Sequence, residues 1–297
     1  MMSKMSTEQR NPNSMNLDTL SVQEMTKLMN EEDATVTTAI QQSMRPINQL
    51  IEAVIERMEK GGRLFYIGAG TSGRLGVLDA AECVPTFGTS PEWVQGVIAG
   101  GKKAFVEAVE GAEDSEELAV KDLKEKNLNE KDVVIGIAAS GRTPYVKGGL
   151  KYAKEVGAQT GSISNNSNAA ISELANYSVE VVTGPEVLTG STRLKAGTAQ
   201  KLVLNMISTI TMVKLGKAYE NLMVDVQATN EKLVDRSKRI IMEATGCTYE
   251  DAEQHYQQSG SVKAAIVQIL AGVSVEEAEA LLNKQEGRVR EAIRSQS

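Results

Sequence analysis

The chain has 297 residues, about enough for two domains, and its 41% hydrophobic and 24% charged residues are typical of a globular protein. Its net charge of −7, from 32 basic and 39 acidic residues, disfavours general binding to nucleic acid or anionic membranes. The two cysteines, Cys83 and Cys247, lie far apart and fit a reducing compartment, and the single histidine argues against a zinc site.

The N-terminal part of the chain is predicted to be an extended segment followed by helices. Residues 1–18 are polar and lack the apolar run of a signal peptide, and no later run is long enough to span a membrane, so we expect a cytoplasmic protein. Ser21 with Glu24 is a capping-box pattern that predicts a helix start. A second helical stretch is predicted over 32–59, kinked or divided by Pro46.

Both N-terminal helices carry an apolar face that one sheet domain would not cover fully. The residues on these faces are Met25, Leu28, Met29, Ile47, Leu50, Ile51 and Val54. Isologous pairing of two chains would bury them, so the sequence predicts a homodimer.

The middle of the chain alternates short β-branched runs with helical stretches, which predicts an α/β, doubly wound, mainly parallel five-stranded sheet. The strands are expected at 63–67, 94–99, 132–138, 159–164 and 178–182. Helices are expected at 102–109, 115–126 and 144–155, with one long buried helix at 192–217. Several strands are apolar throughout, as strands covered on both faces are.

Beyond about residue 225 the sequence predicts a small C-terminal helical bundle. Residues 248–266 match 274–293 as a weak repeat of helix, glycine turn and helix. His255 aligns with Leu281, so we interpret it as a partly buried packing residue. The predicted domains are an N-terminal segment with helices, a sheet domain and the bundle, at 1–60, 61–225 and 226–297.

Two polar loops lie where open α/β sheets bind ligands, after a strand and before a helix. The loop 68–74 fits G-x-G-x-x-G, but no carboxylate ends the next strand as a dinucleotide site requires, so its backbone favours an anion or a sugar. In the loop 139–144, hydroxyls and backbone N–H groups could cradle a phosphate, or could simply cap a helix. The candidate binding residues are Gly70, Thr71, Ser72, Arg74, Ser140, Gly141, Arg142 and Thr143, and we expect a phosphate between the loops with Ser72, Ser140 and Thr143 as donors.

A third polar loop, 189–195, precedes the long helix. Ser191 and Lys195 are candidate binding residues, because Lys195 could meet an anion at the start of that helix. A helix cap beside a solvated lysine is the alternative.

Two carboxylates differ from the many acidic residues on polar helix faces. Glu82 lies near the predicted end of the helix that follows the first loop, shortly before Pro85, where the helix dipole favours the protonated form and suits a general acid. Glu113 precedes a predicted helix, whose positive end favours the charged form and suits a general base. Opposite environments can divide acid and base roles between two carboxylates, although capping is the alternative role for Glu113.

Four segments, GGRLFYIGAGTSGRLGVLDAAEC, EGAEDS, IGIAASGRTPYV and TGSTRLKAGTAQKLVLNM, together closely resemble N-acetylmuramic acid 6-phosphate etherases, and the resemblance covers almost the whole chain. It implies a sugar isomerase (SIS) domain, a dimer with sites near the subunit interface, and no cofactor. The family's acid matches Glu82 and its second catalytic glutamate matches Glu113. The family usually has Pro-Pro where this chain has Val84-Pro85, which could move the helix end that carries Glu82.

The reaction implied by the resemblance converts N-acetylmuramic acid 6-phosphate and water to N-acetylglucosamine 6-phosphate and D-lactate. The expected partners are therefore a small-molecule sugar phosphate and a second copy of the chain, with no nucleic acid, membrane or metal. Two alternatives stay open. A non-enzymatic sugar-phosphate sensor is one, because a regulatory protein of glucokinase shares this domain type, and an aldose–ketose isomerase is the other.

Overall fold

The computed structural model describes residues 5–107, 109–226 and 231–296. These residues fall into two compact units, one formed by residues up to 81 with 92–208, and one formed by 82–91 with those from 209 onward. The predictions for residues 1–18, 102–109 and 226–297 fall partly outside the described residues, at 1–4, 108, 227–230 and 297. Within the described ranges, no helix is both long and apolar enough to cross a membrane.

The N-terminal segment is more structured than its polar sequence predicts. It forms three short 3₁₀ turns, at Ser6–Glu8, Pro12–Ser14 and Leu17–Thr19. Thr7, Asn11 and Ser14 are buried, and the Ser14 hydroxyl donates a hydrogen bond to the Val187 carbonyl at 2.8 Å. The expectation of an extended segment is wrong here because polar side chains can be buried stably when each finds a hydrogen-bond partner.

From residue 5 onward, three α-helices precede the sheet: α1 (Val22–Asp33), α2 (Thr35–Gln42) and α3 (Met44–Glu59). The predicted capping box of Ser21 and Glu24 begins α1. The second helical stretch is divided at Ser43, and Pro46 lies in the first turn of α3, where its missing N–H removes no bond within the helix.

The first unit is built on five parallel strands, which confirms the predicted sheet. They are β1 (Leu64–Gly68), β2 (Val94–Ile98), β3 (Val133–Ile137), β4 (Gln159–Ser164) and β5 (Tyr177–Glu180), in the order β2-β1-β3-β4-β5. All residues of β1 and β3 are buried. Because the strand order reverses between β1 and β3, the sheet has its switch point there.

Helices cover both faces of the sheet, as the apolar strands predict. Leu50 of α3 lies against Gly161 and Gly76 of α4 (Gly70–Phe87) lies against Tyr66 on one face, while α6 (Glu116–Glu125) and α7 (Pro144–Val156) pack on the other. The remaining helices are α5 (Lys103–Val106), which follows β2, and α8 (Lys195–Lys214), which follows β5. Phe65 and Val134 form one core cluster with Leu123 of α6 and Leu150 of α7. The helix predicted over 102–109 is only the single turn α5 among the described residues.

Two glycines let α4 lie close to the opposite face of the sheet. A Cβ atom on Gly73 would stand 2.6 Å from the Gly68 carbonyl oxygen, and one on Gly76 would stand 2.8 Å from Cβ of Tyr66. Both distances are shorter than real Cβ contacts. The last glycine of the G-x-G-x-x-G pattern therefore serves close packing of helix on strand.

Among its described residues, the second unit contains a two-stranded antiparallel hairpin and five helices of its own, besides the ends of α4 and α8. The hairpin is β6 (Ala218–Tyr219) with β7 (Leu222–Met223), and the helices are α9 (Glu231–Thr245), α10 (Tyr249–Ser259), α11 (Val262–Ala271), α12 (Val275–Lys284) and α13 (Val289–Arg294). The repeat is visible in the structure, since α10 and α12 both begin with a capping box. His255 lies half-buried on α10, as its place in the repeat predicts.

Candidate active site

The first two polar loops start side by side at the switch point of the sheet. Gly68, the last residue of β1, stands opposite Ile137, the last residue of β3. The chain then enters α4 from β1, and enters the loop before α7 from β3. Ligands of open α/β sheets bind in this crevice, beyond the carboxyl ends of the strands.

The first loop turns directly into α4. Gly70 has a φ of +53°, a left-handed conformation that favours glycine. The N–H groups of the first helical turn, including those of Thr71 and Ser72, have no acceptor within the helix. They form the positive end of the helix dipole. Arg74 points across to α5, where its Nε donates to the Phe105 carbonyl at 2.9 Å.

The hydroxyl of Ser72 is already engaged within the protein. Ser72 is buried, and its Oγ donates to Oε1 of Gln200 at 2.9 Å. Since a serine hydroxyl carries one hydrogen, Ser72 is not available as a side-chain donor to a phosphate in this conformation.

The second loop leaves its polar groups accessible. Gly141 has a φ of +69°, and the Ser140 hydroxyl accepts a hydrogen bond from the Arg142 N–H at 3.3 Å. Thr143 is the N-cap residue of α7, yet its side chain makes no capping bond, and Pro144 is the first helical residue. The capping alternative therefore does not explain the Thr143 hydroxyl.

The third loop is occupied by the protein's own carboxylates. Glu186 is fully buried and accepts from the backbone N–H groups of Lys195 and Ala196 at 2.9 and 3.0 Å. Nζ of Lys195 forms a buried ion pair with Glu32 at 2.6 Å. The interpretation of Lys195 as a solvated residue is therefore wrong, and the anion at the start of α8 is Glu186. Ser191 is half-buried in the same loop.

Burial and hydrogen bonding have opposite effects on the pKa values of Glu186 and Glu32. Burial raises the pKa of Glu186 above its ordinary value, although the N–H groups of Ala196 and Lys195 partly offset this. For Glu32, burial also favours a higher pKa, but hydrogen bonds from Asn13 and Lys195 outweigh it and hold the pKa below its ordinary value. The Glu32 carboxyl is thus ionised at neutral pH.

A cavity of 250 Å³ brings three of the predicted residues together. Gly70, Arg74 and Glu113 all line it. Glu113 belongs to the 3₁₀ turn Ala112–Asp114 and is exposed. The cap of α6 is Ser115, whose Oγ accepts from the Leu118 N–H at 3.1 Å, so capping does not account for Glu113.

Glu82 is exposed on α4, at its C-terminal part. The helix continues through Pro85 to Phe87, so Glu82 lies five residues before the helix end rather than in the last turn. The helix dipole acts mainly within the last turn, which weakens the dipole argument for a general acid at this position.

Three residues that contact the loops were missed in the sequence. They are Gln200 on α8 and the pair Asn165 and Asn166, which directly follows β4. The asparagines could have been identified, because they occupy the carboxyl end of a strand like the other two loops. Nothing in the spacing indicates Gln200. Among the described residues, no group of three or more His, Cys, Asp or Glu is placed to hold a metal ion.

Comparisons with known proteins give a consistent set of relatives. The family model for the glucokinase regulatory protein N-terminal SIS domain matches residues 46–154, and the SIS domain model matches residues 112–210. N-acetylmuramic acid 6-phosphate etherases of Bacillus cereus and Bacillus anthracis are each 62% identical over 294 residues, covering 99% of this chain and 100% of the relative.

Solved structures similar to this chain include two phosphoheptose isomerases. The one from Neisseria gonorrhoeae has 16% identity and a TM-score of 0.49, covering 64% of this chain and 98% of its own. The one from Francisella tularensis has 14% identity and a TM-score of 0.49, covering 65% and 100%.

Proposed function

The chain belongs to the family of N-acetylmuramic acid 6-phosphate etherases, and we propose that it cleaves the D-lactyl ether of N-acetylmuramic acid 6-phosphate to give N-acetylglucosamine 6-phosphate and D-lactate. The geometric observation that supports this is the cavity lined by Gly70, Arg74 and Glu113, because it combines a helix start, a cation and a carboxylate. The helix start and the cation can bind the phosphate of an anionic sugar, and the carboxylate can remove a proton from an acidic C–H bond.

We propose that the phosphate lies between the first two loops. The N–H groups at the start of α4, from Gly70 and Thr71, would donate to it, together with the hydroxyls of Ser140 and Thr143. Arg142 is exposed beside them and would offset its charge. Holding the substrate by this distant group lets binding energy position its C2 and C3 atoms.

Glu113 would act as base and Glu82 as acid. In the open-chain sugar the lactyl ether is β to the C1 aldehyde, so the C2 proton is acidic enough for Glu113 to remove. Removal of this proton leaves an enolate, whose electron pair then forms the C2–C3 double bond as the C3–O bond breaks, and the departing lactyl oxygen takes a proton from Glu82. Water then adds its hydroxyl at C3, and C2 regains a proton.

Two glutamine substitutions test this division. Glu113→Gln should nearly abolish both D-lactate release and exchange of the C2 proton with deuterated solvent. Glu82→Gln should mainly slow C–O cleavage, so exchange at C2 can persist without lactate. Each loss should be about 10²- to 10⁴-fold.

A matched control is Glu110→Gln, because Glu110 lines the same cavity as Glu113 and has no assigned role. It should keep most of the wild-type activity. Exchange lost in Glu82→Gln but kept in Glu113→Gln would mean that the roles are reversed, and full activity in either variant would remove that residue from the mechanism.

A sugar-phosphate sensor is the second candidate, because the model for the glucokinase regulatory protein N-terminal SIS domain matches residues 46–154. The same assay separates the candidates. A sensor would bind N-acetylmuramic acid 6-phosphate without releasing D-lactate, and an aldose–ketose isomerase would form a ketose without it.

We also propose that the protein acts as a homodimer in the cytoplasm. The proposal of a cytoplasmic site is supported by Cys83 and Cys247, neither of which forms a disulfide. Exposed apolar side chains on the first unit support the dimer, among them Met15 at 52% and Leu188 at 56% exposure.

A further inference from the structure

A chain of neutral hydrogen bonds runs from the first loop into α8 and on to the residues after β4. Ser72 Oγ donates to Gln200 Oε1 at 2.9 Å, and Gln200 Nε2 donates to Asn165 Oδ1 at 2.9 Å. Nδ2 of Asn165 donates in turn to the Val181 carbonyl at 3.1 Å. Ser72, Gln200 and Asn165 are all buried, and Asn165 is completely so.

We call this chain of hydrogen bonds, from Ser72 through Gln200 and Asn165 to Val181, the relay. The direction of each of its bonds is fixed by the acceptor at its Val181 end. The Val181 carbonyl can only accept, so the Asn165 amide must turn its NH₂ group toward it and its oxygen toward Gln200. Gln200 must then donate with Nε2 and present Oε1 to Ser72. The Ser72 hydroxyl is therefore compelled to donate to Gln200, and only its lone pairs remain for any other partner.

The relay also reaches the second loop. The Ala139 carbonyl, which directly precedes Ser140, accepts from the Asn165 backbone N–H and from Nδ2 of Asn166, both at 3.0 Å. Asn166 Nδ2 also donates to the Thr7 hydroxyl at 2.9 Å. Both loops of the phosphate site are thus attached, through side chains and backbone, to the same asparagine pair.

We infer that Gln200 and Asn165 are positioning residues that fix the spacing between the two loops, and that Ser72 is the end of this relay rather than a side-chain donor to the phosphate. The inference rests on the proposed function, since it assumes a phosphate held by both loops. Buried polar groups that satisfy one another in one arrangement specify a unique geometry. A cradle of backbone N–H groups depends on such spacing, because its donors cannot adjust independently.

The test is a double-mutant cycle on Ser72→Ala and Asn165→Ala, with KM and kcat for D-lactate release and calorimetric affinity for N-acetylglucosamine 6-phosphate. Each single change should raise KM about tenfold with a smaller change in kcat, as loss of binding shared by ground and transition states does. The rise in KM of the double variant should be smaller than the product of the two single rises, because both changes act through Gln200. Ser72→Thr, which keeps the hydroxyl, should restore most of the affinity.

Asn176→Ala is the matched control, because Asn176 accepts two hydrogen bonds from Thr160 at the opposite end of β4. It should lower the melting temperature without raising KM. When it is combined with Ser72→Ala, the change in KM should equal the product of the two separate changes. If Asn165→Ala does not fold, Gln200→Met removes the same link without changing either loop.

The inference would be overturned if the effects of Ser72→Ala and Asn165→Ala on KM were independent. It would also be overturned if these variants raised KM no more than Asn176→Ala does. A wild-type protein that releases no D-lactate would instead refute the proposed function. The affinity for N-acetylglucosamine 6-phosphate would still report on the relay in that case.

Discussion

Asp79 is an ionisable residue of α4 that the proposed mechanism does not use. It lies one turn before Glu82 and is half-buried, and its Oδ1 accepts from the Ser208 hydroxyl at 3.0 Å. Burial raises its pKa from 3.8 to about 6, although hydrogen bonds from Ser208 and Tyr66 partly offset the effect. An ionised Asp79 is therefore a cost to the folded protein at neutral pH.

The pH dependence follows from the sign of this shift. Because the folded pKa lies above the unfolded value, the folded state binds the proton more tightly, and stability from this group falls as pH rises from about 4 through about 6. Asp79→Asn should therefore stabilise the protein at pH 8, by at most about 3 kcal/mol, and should have little effect near pH 4. Melting temperatures at both pH values measure this.

Asp114→Asn is the control, because Asp114 is exposed in the first unit. It should change the melting temperature little at either pH. An Asp79→Asn variant that is equally destabilised at pH 4 and pH 8 would show that the carboxyl contributes through its shape or hydrogen bonds rather than its charge.

Individual residue roles were the hardest feature to obtain from the sequence. Ser72 and Lys195 both follow a strand and stand at a helix start, so they have the same pattern as Thr143. Their partners, Gln200 and Glu32, are 128 and 163 residues away. Burial forces these polar groups to find partners inside the fold, and local spacing contains no information about such distant contacts.

At the scale of elements, the start of α8 is held by two buried acidic residues. Glu186 accepts from the first N–H groups of the helix, and Lys195 in its first turn is ion-paired with Glu32 of α1. The side chains of Lys195 and Glu32 are only 4% and 10% exposed. The ion pair therefore joins α1 to α8 in a region that water scarcely reaches.

Removing one partner of this pair should be strongly destabilising. Lys195→Met leaves the Glu32 carboxylate buried without its cation and should lower the free energy of unfolding by about 3–5 kcal/mol. The double variant Glu32→Gln/Lys195→Met should recover part of the loss. Lys201→Met, on an exposed position of the same helix, should change stability little. Denaturant titration of the four proteins decides between these outcomes, and equal losses for Lys195→Met and Lys201→Met would contradict the role of the pair.

The strands were predictable because they depend on local pattern. Doubly covered strands are continuous apolar runs between polar loops, so β4 has the predicted bounds and the others differ from theirs by at most two residues at either end. Helix ends were less predictable. The division before α3 occurs at Ser43, three residues before the proline that suggests it, because the first turn of a helix accepts proline.

For the whole molecule, the sequence predicted the sheet and the helical C-terminal region but not the hairpin of β6 and β7. Strands of two residues carry no periodicity that could identify them. The domain limits at 60/61 and 225/226 stay a prediction.

The reason for expecting a dimer needs a correction. Ile47, Leu50, Ile51 and Val54 of α3 are buried within a single chain, because α3 packs on the sheet closely enough for Leu50 to approach Gly161 of β4. A partner chain is not required to cover them. Of the α1 residues on the predicted faces, Met29 stays 37% exposed. Met15 and Leu188 are also exposed, and they line a cavity of 460 Å³ together with Met25 of α1.

If a second copy covers these residues, charge introduced there should separate the dimer. Light scattering at micromolar concentration should give twice the chain mass for the wild type, and the mass of one chain for Met15→Asp/Leu188→Asp. Burying two carboxylates without partners in an apolar interface costs several kcal/mol for each carboxylate. This is a large part of the free energy of association of a dimer of moderate affinity. Leu270→Asp, at an exposed apolar position of the second unit, should leave the mass unchanged. A dimer that persists in the double variant would locate the interface on another surface, and a wild type of single-chain mass would refute the dimer itself.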